Sequence, residues 1–115
     1  MLAKKNRLRS DKDYKQVHER GRVQTGRFLR IKVVANGLGV VRFGLMIGVK
    51  VSKKAVERNK VKRHLREAAR VLLPSLAPGS DIVVLARPAA CDKSLAEILN
   101  ELSLLLQRAG ILKGK

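Results

Sequence analysis

Polar and apolar residues alternate from Arg27 to Ala35 (RFLRIKVVA), with Phe28, Arg30, Lys32 and Val34 on one side and Leu29, Ile31, Val33 and Ala35 on the other. This period of two predicts a strand with one apolar face and one face carrying two cations and an aromatic. Asn36-Gly37-Leu38-Gly39 supplies a turn. A second strand is expected over about 41–51, with Gly44 and Gly48 marking a bulge or a close backbone approach. Residues 55–73 contain neither Gly nor Pro, and Val61, Leu65, Ala68, Ala69 and Leu72 fall on one stripe at helical spacing. An amphipathic helix is therefore predicted, ended by Pro74. Asp81 to Leu85 (DIVVL) is a continuous apolar run, the pattern of a strand covered on both faces. Ser94 and Glu97 have capping-box spacing and open a last helix. That helix is built on Leu95, Ile98, Leu99, Leu102, Leu105, Leu106 and Ala109, and Gly110 stops it.

Near the start, Ser10 and Asp13 predict a short-armed capping box for a helix that runs to about Arg20 and stops at Gly21. Its apolar face is small: Tyr14, Val17 and His18. Residues 1–9 (MLAKKNRLR) are expected to be a flexible basic arm anchored at Leu8. The order is helix, strand, strand, helix, strand, helix, with room for a short extra strand near Val23. This is an α+β fold, a small α/β sandwich with helices packed on one sheet. The 115 residues, without repeat or linker, read as a single domain over 1–115.

Charge is what turns this scaffold toward function. Lys and Arg number 26 against 9 Asp and Glu, a formal net charge of +17. All but five of the cations lie before residue 71, and nine of them fall between Lys50 and Arg70. Such a field repels itself, and a polyanion is the partner that relieves it. Hydrophobic residues make up 45% of the chain, which separates it from disordered basic tails. No apolar stretch reaches the ~20 residues of a membrane span. No charged-then-apolar leader opens the chain, so a cytoplasmic location is expected. Along the 55–73 helix, Arg58, Lys62, Arg66 and Arg70 recur every four residues, with Asn59, Lys60 and Arg63 beside them and Lys53 and Lys54 just before. Cations on a rigid helix reach several phosphates at once, and arginine adds planar, bidentate recognition.

Catalytic chemistry is hard to assemble from the rest. The two histidines, His18 and His64, lack ligand spacing, and Cys91 is alone in its loop. No zinc motif or phosphate-binding glycine loop occurs. No complete protein active site and no protein-held metal are expected. On the residues alone the basic surface is a nucleic-acid contact, charge does not decide between RNA and DNA, and a structural ribosomal-type or RNA-chaperone protein and a self-sufficient nuclease both remain open.

The stretch Ala55-Val56-Glu57-Arg58-Asn59-Lys60-Val61-Lys62-Arg63-His64-Leu65-Arg66-Glu67 closely resembles the signature helix of the bacterial ribonuclease P protein family. Arg42-Phe43-Gly44-Leu45, Gly79 to Pro88, and Asn6-Arg7-Leu8-Arg9 with Asp13, Tyr14 and Gly21 also look like that family, in the right order. The resemblance implies a protein subunit that binds a large catalytic RNA, the RNA performing magnesium-dependent removal of the 5′ leader from precursor tRNA. Magnesium would be held mainly by RNA. The protein itself would be a monomer, with no membrane partner. Catalytic-RNA contacts are implied for Lys53, Lys54, Arg58, Asn59, Lys60, Lys62, Arg63, Arg66 and Arg70. Leader contacts in a cleft between first helix and sheet are implied for Tyr14, Val17, His18, Phe28, Arg30 and Lys32. A left-handed β-α-β crossover is implied as well, where general chirality favours a right-handed one. Three positions depart from the family: Lys60 stands for an arginine, Val49 for a lysine, and His18 for an aromatic.

Overall fold

The computed structural model describes residues 2–112, which form a four-stranded sheet with helices on both faces. The elements are α1 (Asp11–Arg20), β1 (Arg22–Thr25), β2 (Leu29–Ala35), β3 (Arg42–Met46), α2 (Ala55–Leu72), β4 (Ser80–Ala86) and α3 (Leu95–Arg108). The sheet runs β1-β2-β4-β3. β2 pairs antiparallel with β1 and β4, whereas β3 and β4 are parallel and joined through α2. The α+β architecture is the one the hydrophobic pattern predicts, short strand at Val23 included. β4 is central, as its unbroken apolar run requires, and Ile82, Val83 and Val84 have no solvent exposure.

Strand register sorts the side chains into two layers. Leu29, Ile31 and Val33 of β2, Ile82 and Val84 of β4 and Phe43 of β3 form one face. Against it pack Val61, Leu65, Ala68 and Ala69 of α2 and Ile98, Leu102, Leu105 and Leu106 of α3. Each of the larger side chains contributes about 1.5–3 kcal/mol through burial. α3 opens with the expected capping box: Ser94 Oγ accepts from the Glu97 N–H, and Glu97 reaches back to the Ser94 N–H. α1 lies on the other face, over a separate small cluster of Leu8, Val17 and Val83.

Three local expectations are corrected. Ser10 does cap α1, accepting from the Lys12 N–H at 3.2 Å, but Asp13 does not reach back to complete a box. Its carboxylate instead meets Arg42 Nη1 at 3.2 Å. Arg42 also grips the buried Asp81 carboxylate in a fork (2.8 and 2.7 Å), and Asn36 Nδ2 donates to Asp81 Oδ1 at 2.8 Å. The network ties α1, β3, β4 and the turn after β2 together, and the paired carboxylates hold the Arg42 guanidinium in its charged form. Second, β3 stops at Met46 rather than near residue 51, because its partner β4 ends one residue past the Leu85 that Met46 faces.

Third, the expected flexible arm is docked. Leu2, Asn6 and Leu8 are buried, Asn6 Nδ2 donates to the Val41 carbonyl at 2.9 Å, and the Leu8 N–H donates to the Phe43 carbonyl at 2.7 Å. The physical cause is the outer edge of β3, whose free backbone groups this segment covers. Met1, also part of that expected arm, lies outside the described residues.

Candidate nucleic-acid interface

α1 crosses the sheet along one row of paired residues: Val23, Lys32, Val83 and Gly44. Tyr14 lies over Gly44, Val17 over Val83, and His18 over Lys32. The absence of a side chain at position 44 makes room for the Tyr14 ring, since a Cβ there would sit 2.6 Å from it. Gly21 does a similar service, because a Cβ at that position would come within 2.4 Å of the Val17 carbonyl, where the chain turns from α1 into β1. The next row, Thr25, Arg30, Leu85 and Met46, has no helix over it. Thr25, Arg30 and Met46 are exposed and Leu85 is half-buried. The result is an open groove floored by an arginine and two apolar side chains and walled by α1, with Lys32 at the foot of the wall.

The structure separates the residues expected to hold the leader. Tyr14, His18, Arg30 and Lys32 share the groove face. Tyr14 is half-buried, and burial pushes its hydroxyl above the ordinary phenol range, so it remains a neutral phenol. Lys32 Nζ donates to His18 Nδ1 at 3.1 Å, and burial together with the Lys32 charge lowers the imidazole pKa. Val17 is corrected: it has no solvent exposure, because it is the side chain that fastens α1 to the sheet. Phe28 is corrected too. It precedes β2 in a bend, where strict alternation no longer applies, and packs against the main core with Lys93 Nζ 5.0 Å from its ring centre. Glu101 of α3 sets this bend by accepting the N–H groups of Arg27, Phe28 and Leu29 at 3.0, 2.7 and 2.7 Å.

On α2 the apolar stripe is buried and the polar surface faces out. Lys53, Lys54, Asn59, Lys60, Lys62, Arg63 and Arg70 are exposed, with Arg58 and Arg66 half-buried. Two of these have internal work as well. Arg58 Nη1 donates to the Ser52 carbonyl at 2.8 Å, closing the loop before the helix, and Arg70 pairs with Glu67. Lys54, at the N-cap position, offers no side-chain cap, and Ser52 braces the entry to the helix by accepting the Lys54 N–H and donating to Glu57. Hydrogen bonds from Ser52 and Cys91 hold the Glu57 carboxyl below its usual range. His64 lies among these cations, and burial, then Lys60 and Arg63, lowers its pKa.

The two surfaces meet at the outer edge of β3. A cleft of about 260 Å³ there is lined by Arg7, Tyr14, Lys62 and Arg66 above an apolar floor that includes Leu8, Phe43 and Leu45. Arg7 and Leu85 lie in stretches that carry the family resemblance without being singled out as contacts, and Thr25 and Met46 lie in none; strand register and the docking of residues 2–8 bring all four to the site. Among the described residues no three His, Cys, Asp or Glu side chains gather to hold a metal ion, and no helix is long and apolar enough to cross a membrane.

Comparison with known proteins finds relatives over nearly the whole chain. Residues 2–110 match the family model described as Ribonuclease P. The chain is 41% identical over 118 residues to the ribonuclease P protein component of Rippkaea orientalis, covering 98% of this chain and 93% of that one. It is 37% identical over 130 residues to that of a Cyanothece species, with 99% of each covered. Among solved structures it is similar to the RNase P protein of Staphylococcus aureus (TM-score 0.84, 28% identity, 94% of this chain and 98% of that one). It is also similar to that of Thermotoga maritima (TM-score 0.80, 28% identity, 89% and 96%).

Proposed function

The chain belongs to the ribonuclease P protein family, and from that membership we propose a division of labour between its two polar surfaces. As the protein component of an endoribonuclease, it works in a ribonucleoprotein that binds RNA and processes the 5′ ends of tRNA. In our reading the outward face of α2, from Lys53 to Arg70, binds the catalytic RNA, and the groove beside α1 takes the single-stranded 5′ leader of precursor tRNA. The RNA subunit carries the phosphodiester hydrolysis and holds the magnesium ions. The protein acts as a monomer, in the cytoplasm, by positioning.

The observation that supports this most directly is the arrangement of charge. α2 buries its apolar stripe against α3 and the sheet, which leaves Asn59, Lys60, Lys62 and Arg63 side by side and free of carboxylate partners among the described residues. Neutralising phosphates from such a face releases counterions and makes affinity fall steeply with salt. The groove differs in kind, with fewer cations set among apolar side chains, which suits a single strand.

The test uses Arg63→Ala. Binding of the catalytic RNA should weaken, and the slope of log affinity against log salt should flatten by about one ion for each phosphate left without its cation. Cleavage of labelled precursor tRNA should need both RNA and protein at physiological salt. Unchanged affinity and slope would remove α2 from the interface, and cleavage by the protein alone would overturn the assignment of chemistry to the RNA.

A further inference from the structure

The groove holds one pair of side chains whose chemistry differs from stacking. We propose that Lys32 and His18 form a proton-linked phosphodiester site, at which a leader phosphate binds together with a proton taken up by His18. The inference rests on the groove being the leader's binding surface, and adds the group recognised and its pH dependence.

The geometry is specific. Lys32 Nζ donates to His18 Nδ1 at 3.1 Å, and an ammonium can donate only to a ring nitrogen that carries no proton. The bond is therefore made by the neutral ring, with its one proton on Nε2. Both side chains are half-exposed at the foot of α1, and Arg30 lies two residues along β2 on the same face, exposed. Among the described residues no carboxylate pairs with Lys32 or Arg30. Lys32 has three N–H donors and spends one on His18. An acceptor-only anion such as a phosphodiester fills the remainder.

The coupling follows from charge. Protonating His18 in the free protein would break its bond from Lys32 and set two cations about 3 Å apart. The other ionisable groups around α1 offer little relief: Lys15, Glu19 and Arg20 on the helix itself, Arg22 at the start of β1, and Arg30 on β2. Asp81 of β4 lies one row away and is already closed by Arg42 and Asn36. Burial and the Lys32 charge accordingly hold the free imidazole below its ordinary range. A phosphate bridging the two residues removes that repulsion and gives both nitrogens an acceptor, so anion and proton bind cooperatively. By linkage, the anion must raise the pKa of His18 by as much as protonation strengthens anion binding.

Two measurements test this. In the full chain, the His18 ring is titrated by NMR with and without a short single-stranded RNA, His64 serving as the internal comparison. The His18 pKa should rise by about one unit with RNA, equivalent to a tenfold coupling. With the assembled holoenzyme, the ratio of precursor to mature tRNA affinity should grow by about three- to tenfold from pH 7.5 to 5.5, a gain bounded by that coupling. His18→Gln should abolish the growth, and Lys32→Met should lower the ratio at every pH. An unmoved His18 pKa and a ratio flat in pH would overturn the proton linkage. If His18→Gln and Lys32→Met leave the ratio at its wild-type values while Arg30→Ala reduces it, the groove binds the leader without this pair and the present inference fails alone. If Arg30→Ala also leaves the ratio intact, the groove assignment itself fails.

Discussion

Val17→Ala removes two methyl groups from the cluster that fastens α1 to the sheet. Val17 has no exposure and packs with Leu8 and Val83, themselves 4% and 0% exposed. At about 0.8 kcal/mol for each buried methylene-sized group, the transfer term is roughly 1.6 kcal/mol. Incomplete collapse of the site brings the total to about 2–3 kcal/mol. The cluster is separate from the main core, so the first consequence is release of α1 rather than collapse of the α2–α3 layer. The assay is urea denaturation together with amide hydrogen exchange. Stability should fall by about 2 kcal/mol, and amides of Asp11–Arg20 should lose more protection than those of Leu95–Arg108. Precursor over mature tRNA discrimination should fall along with α1 protection and return under conditions that refold the helix. A stability change of only a few tenths of a kcal/mol, combined with full loss of discrimination, would show that Val17 faces RNA and that α1 does not pack on the sheet through this side chain.

Gly44→Ala should push the Tyr14 ring off the sheet, since the new Cβ falls 2.6 Å from it, at a cost of about 1–3 kcal/mol. The Tyr14 ring resonances in NMR report the displacement, and an unmoved ring with unchanged stability would contradict so close an approach. His64 gives a pH prediction. Its folded pKa is depressed, so the unfolded chain takes up the proton first as pH falls below about 6.5. The stabilising contribution is complete above that value and is lost as pH drops toward the folded pKa. Urea midpoints should therefore decline from pH 7.5 to 5.5, and His64→Gln should reduce the decline. A wild-type midpoint constant over that range would refute the assignment.

Much of the scaffold and one of the two surfaces were legible in the sequence. Residues 55–72 carry both an apolar stripe and a cationic face at helical spacing, and local periodicity is enough to show which is buried. DIVVL announced a central strand, and Ser94 with Glu97 announced the start of α3, because burial on both faces and a cap are each written in a few adjacent residues. The groove was different. Alternation put Phe28 on the same face as Arg30 and Lys32, but alternation holds only inside a strand. The strand starts at Leu29, because Glu101, more than 70 residues away, captures the backbone of the preceding bend. Val17 belongs to a small apolar face, and only the seating of α1 across β4 makes it fully buried. The docking of residues 2–8 depended on an unpaired edge of β3 that appears only once the sheet is assembled. Helical and strand periodicity are set by each residue's near neighbours and can be read along the chain. Register, edge coverage and the row on which α1 comes to rest are set by contacts between distant segments, and the tertiary structure alone decided them.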